Sequence, residues 1–339
     1  MNPGAMFISK RIIPIAFLCI FLDLELAWVN CEGDTSDVLE PQKSSVPLLF
    51  FGKKDGKPLR ISNPLDIAPD SHGYVCVLGQ EGDVYIIHPS GKYFTMRRPD
   101  FRVDRIRYIA TALDIDHIGD IALLDVLEKR LVKLDMFGTI RDVVQLDTAS
   151  LPSIGLLTGL AIDTKGWIYI TDRDRDTIYI FKPDGVLLKS IGMRRNGTER
   201  MNNPSGIAVD LSGDIYVADT YNHRIHVFDL TGASVRKIGR KGSESASLKY
   251  PTDVAVYNRW HIVAVADSGN KRIQCYTFDG EHKLSIPFSL PGQHNPGKPS
   301  KLAFDSGGNL YIIDSFSGKL VRIDGKDLNK IFAKKKEKM

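Results

Sequence analysis

With 339 residues, 43% of them hydrophobic and 25% charged, and a formal net charge of +4, the chain has the composition of a soluble globular protein. Length alone would divide it into about two domains, but an unbroken internal repeat argues for one. Its four Cys are too few to build a pair of four-ligand zinc sites.

Lys10 and Arg11 precede an apolar run from Ile12 to Leu22, which Asp23 and Glu25 end. This is a charged n-region and an h-region of signal-peptide length. It is too short for a spanning helix, which needs about 20 apolar residues. Val29 and Cys31 suit the small −3 and −1 positions, so residues 1–31 read as a signal peptide cleaved before Glu32; the alternative is a buried hydrophobic helix or a short anchor. Residues 32–46 are polar and read as a disordered lead-in.

A propeller body is predicted over 47–332. Pro47-Leu-Leu-Phe-Phe-Gly52 reads as a spare strand that closes a ring by pairing onto the last repeat, and Leu328-Asn-Lys-Ile-Phe332 competes for the same place. Between them a short apolar strand ends six times in the same way, at Asp70, Asp116, Asp163, Asp210, Tyr257 and Asp305, with gaps of 46, 47, 47, 47 and 48 residues. The units start near 64, 110, 157, 204, 251 and 299. Each holds four strands rich in β-branched and aromatic residues, bounded by Asp, Gly or Asn. This period with strand patterning predicts an all-β, six-bladed β-propeller with four-stranded antiparallel blades, strand A innermost and D outermost. One unit cannot bury its own apolar faces, so six must close into one body. Gly79 stands where later units carry Asp125, Asp172, Asp219, Asp267 and Asp314 at the end of strand B. The tail 333–339 is basic and solvated.

The fourth unit, Pro204-Ser-Gly-Ile-Ala-Val-Asp210 followed by Ile215-Tyr-Val-Ala-Asp-Thr-Tyr-Asn-His-Arg-Ile225 and Phe228-Asp229, resembles the NHL repeat. The likeness is specific at 204–239, good at 160–192 and 251–286, fair at 301–332 and weak at 64–146. It implies a six-bladed NHL propeller, in agreement with the count of units. Some secreted NHL propellers are peptidyl-hydroxyglycine lyases, whose three zinc-binding His each follow a blade-starting Pro; the residues here are Leu65, Ser205, Thr252 and Ser300, none of them His. A lyase of that kind is therefore disfavoured, and no metal or cofactor is expected. In tripartite-motif proteins an NHL propeller follows RING, B-box and coiled-coil regions, and in several of them a basic face binds RNA.

Charge is unevenly placed. The D-to-A connectors 53–63, 97–107, 192–203 and 240–250 carry net charges of +3, +3, +2 and +2. In a propeller these connectors share one face with the B–C loops, while the A–B and C–D turns, rich here in Asp, share the other. The best candidates for an anion-binding face are Arg97, Arg98, Arg105, Arg107, Arg194, Arg195, Arg240 and Lys241. Asn196-Gly-Thr198 is a glycosylation acceptor in one such connector. Each strand-ending Asp is expected to cap its loop through backbone N–H groups, with Arg224 and Arg272 pairing locally. Asp66, Asp253 and Lys301 occupy equivalent strand-A positions in adjacent units one, five and six, so they are expected side by side at one mouth of the channel. There Lys301 neutralises two acids or, alternatively, the three form a site for a small cation or amine. After cleavage only Cys76 and Cys275 remain, in non-neighbouring blades, so no disulfide is expected.

The reading is a secreted, non-catalytic protein whose basic face binds an acidic protein surface or a sulfated glycan. If the N-terminus is no signal peptide, the protein is instead cytoplasmic, an RNA-binding or ubiquitin-pathway adaptor module, with Tyr108, Tyr221 and Tyr250 as stacking candidates.

Overall fold

The computed structural model describes residues 49–50, 53–54, 57–96, 109–149, 151, 154–192, 200–290 and 295–336. The expected signal peptide and lead-in lie outside them. Strand β1 (Leu49–Phe50) precedes a two-rung hairpin of β2 (Lys53–Lys54) and β3 (Lys57–Pro58). Blade I is β4 (Pro64–Pro69), β5 (Val75–Gly79), β6 (Val84–Ile87) and β7 (Tyr93–Met96). Blade II is β8 (Ala110–Ile115), β9 (Ile121–Asp125), β10 (Arg130–Leu134) and β11 (Ile140–Gln145). Blade III is β12 (Leu157–Ile162), β13 (Ile168–Asp172), β14 (Thr177–Phe181) and β15 (Leu187–Ile191). Blade IV is β16 (Pro204–Val209), β17 (Ile215–Asp219), β18 (Arg224–Phe228) and β19 (Ser234–Ile238). Blade V is β20 (Asp253–Tyr257), β21 (Ile262–Asp267), β22 (Arg272–Thr277) and β23 (His282–Pro287). Blade VI is β24 (Pro299–Phe304), β25 (Leu310–Asp314) and β26 (Lys319–Ile323), and α1 (Gly325–Lys336) follows it.

Each blade is a four-stranded antiparallel sheet, and in blade VI the fourth strand is β1, with Leu49 opposite Arg322 and Phe50 opposite Val321. The N-terminal strand therefore wins the competition for ring closure. Leu328, Ile331 and Phe332 are instead one face of α1, spaced by three and four residues as a helix requires. Leu328 is buried in the cluster between blades V and VI, and the Phe332 ring lies 5.9 Å from that of Trp260. The chain after β3 also joins the seam, since Ile61 N–H donates to the Gly318 carbonyl at 2.8 Å.

Among the described residues the apolar core divides into six clusters, one per blade interface. Ile67, Val75 and Val77 of blade I meet Tyr311, Ile313 and Leu320 of blade VI, so the ring is closed. Strand B is buried on both faces in all six blades, which explains its continuous apolar runs. The Asp that ends strand A turns the chain: Asp70, Asp116, Asp163, Asp210 and Asp305 each accept backbone N–H groups two and four residues on. Blade V, which has Tyr257 there, uses a 3₁₀ turn, Asn258–Trp260. Among the described residues no helix is long and apolar enough to cross a membrane.

Candidate functional site

The carboxylates that end strand B anchor the chain that arrives at their own blade. Asp125 accepts the N–H of Ile109, Asp172 that of Gly155, Asp219 that of Asn202, Asp267 that of Lys249 and Asp314 that of Lys298, at 2.7–3.1 Å. The same groups cap the following B–C loop at Leu127, Asp174 and Phe316. Arg130, Arg224 and Arg272 place Nε 2.7–3.0 Å from the Asp125, Asp219 and Asp267 carboxylates. These Asp side chains are completely buried, and burial raises the pKa of Asp219 and Asp267 against the pull of their amide and guanidinium partners. The face is thus built in two depths. Carboxylates lie beneath, joined to backbone amides and to three guanidiniums. Hence Arg130, Arg224 and Arg272 add little free charge above.

Exposed cations remain above that layer. Arg240 faces Glu244 at 3.5 Å across solvent. Lys241, Lys249 and Lys271 are exposed and have no ion pair among the described residues. Of the eight cations expected to form the face, Arg240 and Lys241 are placed here. Arg97, Arg98, Arg105, Arg107, Arg194 and Arg195 lie outside the described residues, as do Tyr108 and the acceptor Asn196. Tyr221 and Tyr250 do meet, with ring centroids 6.0 Å apart.

Asp66, Asp253 and Lys301 line one central cavity of about 200 Å³. Lys301 Nζ is 3.2 Å from Asp66 Oδ1. Both acids also bridge blades. Asp66 Oδ2 accepts Leu113 N–H at 3.1 Å, from blade I to II, and Asp253 Oδ2 accepts Leu302 N–H at 2.8 Å, from V to VI. Asp114, which sequence reasoning passed over, does the same from II to III through Ile162 N–H at 2.7 Å. In the sequence it shows only as a carboxylate within strand A, two residues before the turn Asp, and nothing there marks Ile162 as its partner. Burial pushes Asp114 and Asp253 up to about 7, opposed at Asp114 by the Ile162 amide and at Asp253 by Lys301. Burial would lower the Lys301 ammonium, but Asp66 and Asp253 outweigh it and raise it. Lys301 is therefore a charged tie between two acids, and a protonated amine is no nucleophile.

The residues after the blade-starting Pro also join blades. Ser205 Oγ donates to the Thr252 carbonyl at 2.7 Å, and Thr252 Oγ1 to the Ser300 carbonyl at 3.0 Å. In blade IV, Asp219, His226 and Ser234 lie in the order of a hydrolytic triad, with His226 Nε2 2.8 Å from Ser234 Oγ. The Asp219–His226 separation of 3.9 Å is too long for a hydrogen bond. Burial, aided by Arg224 and Lys237, pushes His226 down to about 3, so it is a poor base at neutral pH. Cys76 and Cys275 are free and buried, and burial raises both thiols to about 12. Among the described residues no three His, Cys, Asp or Glu side chains are grouped to hold a metal ion.

Residues 201–228, which span the connector residue Met201 to the end of strand C in blade IV, match the NHL repeat. Among solved structures, a streptogramin B lyase is similar with a TM-score of 0.56 and 15% identity, over 82% of this chain and 97% of that one. The virginiamycin B lyase of Staphylococcus aureus gives 0.54 and 17%, over 83% and 86%. A Bacteroides caccae protein of unknown function gives 0.53 and 14%, over 71% and 85%. Identities this low establish the fold alone. No curated protein sequence matches the chain.

Proposed function

We propose that this six-bladed propeller, which carries an NHL repeat in its fourth blade, is a secreted, non-catalytic binding protein that engages an anionic macromolecule with the face of its D-to-A connectors. The partner class is an acidic protein surface or a sulfated glycan. The carrying observation is the separation of charge by depth. Asp219 and Asp267 are buried and bonded, whereas Lys241, Lys249 and Lys271 stand exposed beside them without an ion pair among the described residues. Such a layer leaves positive potential outward, and each exposed cation contributes weakly, so binding is additive and salt-sensitive. Arg97, Arg98, Arg105, Arg107, Arg194 and Arg195 extend the same proposal along two further connectors. Secretion is supported by the charged and apolar order of residues 10–25, and N-terminal sequencing of the mature protein tests it; an intact Met1 would defeat it.

The binding test is retention on heparin-agarose. Lys241, Lys249 and Lys271 to Ser together should lower the eluting salt concentration, and adding Ser at Arg97, Arg98, Arg194 and Arg195 should lower it further. Unchanged elution of both variants rejects the reading. The exposed Tyr221–Tyr250 pair favours one rival, single-stranded RNA on the same face, which a gel shift at physiological salt decides.

A further inference from the structure

Tyr221 and Tyr250 are 45% and 43% exposed and stand nearly perpendicular, at 84°. Tyr250 has a left-handed backbone, φ 48°, which bulky residues avoid. It is held there because its N–H donates to His223 Nδ1 at 3.0 Å and the two rings pack 4.5 Å apart. His223 is itself left-handed, φ 56°, and closes the 3₁₀ turn that carries Tyr221. Lys241 and Lys249 are near enough to act on the His223 imidazole, whose pKa burial and these two ammoniums lower. The neutral ring is the form that accepts the Tyr250 N–H. A strained backbone, a buried His and two blades thus combine to hold one exposed aromatic corner beside two lysines.

From this geometry we infer that the Tyr221–Tyr250 corner is a stacking subsite for one pyranose ring of a sulfated glycan, with Lys241 and Lys249 pairing its sulfates; the inference rests on the binding reading above. Perpendicular rings suit a single compact sugar. Its C–H face lies on one ring and its edge against the other, whereas a run of nucleobases needs successive parallel platforms. Ammonium groups pair with tetrahedral sulfates as point charges and supply no planar fork for reading base edges.

The test is titration of the whole protein with a heparin dodecasaccharide, with charge-matched poly-glutamate and with oligouridine. Tyr250→Gly is the main variant, because Gly accepts the positive φ without strain. It should melt at the same or a higher temperature, yet bind heparin about tenfold more weakly, one 1.4 kcal/mol step, with poly-glutamate binding unchanged. Tyr221→Ala should repeat this and Tyr221→Phe should not. Lys241→Ser with Lys249→Ser should weaken both polyanions. Equal loss for heparin and poly-glutamate in the Tyr variants, or no loss, overturns the stacking role. Tyr-dependent oligouridine binding tighter than heparin binding overturns it in favour of base stacking. Failure of the unaltered protein to bind either heparin or poly-glutamate rejects the anion-binding reading and this subsite with it.

Discussion

The Asp253 carboxylate reaches across from blade V to accept the N–H of Leu302 in blade VI at 2.8 Å. Beside it Lys301 bonds back to Asp66 of blade I at 3.2 Å. Three blades are therefore tied through two acids and one amine at the seam where the ring closes. Asp253→Ala should leave the Leu302 amide unpaired and cost about 1–3 kcal/mol in chemical denaturation. Asp253→Asn keeps an acceptor and should cost less. Equal stability of both variants and the parent would show that the bridge does not matter.

The pH response of this channel has a definite sign. Asp114 and Asp253 titrate near 7 in the folded chain against an ordinary 3.8, so between these values the native state holds more protons than the unfolded one. Their contribution is fully present below about 3.8 and is lost as pH rises through 7. His226 acts oppositely: it titrates near 3 when folded against 6.5 otherwise, so its contribution is present above 6.5 and lost as pH falls toward 3. Denaturation midpoints measured from pH 4 to 8 should therefore fall less steeply with rising pH in Asp114→Asn with Asp253→Asn than in the parent. Parallel profiles would contradict the assignment.

Gly206 lies against the same carboxylate, where a Cβ would overlap the Asp253 oxygen and backbone. Gly206→Ala should destabilise by about 3 kcal/mol through overpacking. Gly307→Ala, whose Cβ would press only on the Asp305 Oδ1, at 3.3 Å, is the milder comparison and should cost less thermal stability than Gly206→Ala. A tolerated Gly206→Ala would mean that the innermost strands have slack.

Asp219 joins the Asn202 amide, Asn222 and Arg224 in one buried knot. Asp219→Ala leaves a part-buried guanidinium and an amide without their acceptor, and should cost about 3–5 kcal/mol. Hydrogen exchange at Asn202 should accelerate before global unfolding does. Protection of that amide equal to the parent's would argue that the connector is held elsewhere.

Closure depends on a strand of two residues. Removing residues up to Gly52 should uncover the outer edge of β26 and promote self-association through it. Sedimentation equilibrium would show this as a mass above the monomer's; a monomer of unchanged melting temperature would deny β1 its role.

Much of this was legible in sequence because the repeat is local. Turn Asp at 46–48-residue spacing, apolar B strands and the Asp–Arg pairs at the B–C loops are interactions within one unit, so their spacing in the chain shows them. Lys301 beside Asp66 could also be read, because equal register in adjacent blades implies proximity. Three features could not be read. Asp114 sits in a different layer from Asp66 and Asp253, so register alone does not link it to Ile162. The helical fate of 328–332 depends on an apolar seat beside Trp260 that exists only after blades V and VI pack. The Tyr221–Tyr250 corner joins residues of consecutive blades through a His ring and a left-handed backbone.

By itself the sequence determined the number of blades, their strands and their turns, since each follows from apolar patterning and hydrogen bonding that repeat within about 47 residues. Only the tertiary structure decided which terminus closed the ring, which carboxylates joined neighbouring blades, and which cations stood exposed above buried acids. Those outcomes depend on contacts between units, where space and unpaired amides, rather than spacing along the chain, select the partner.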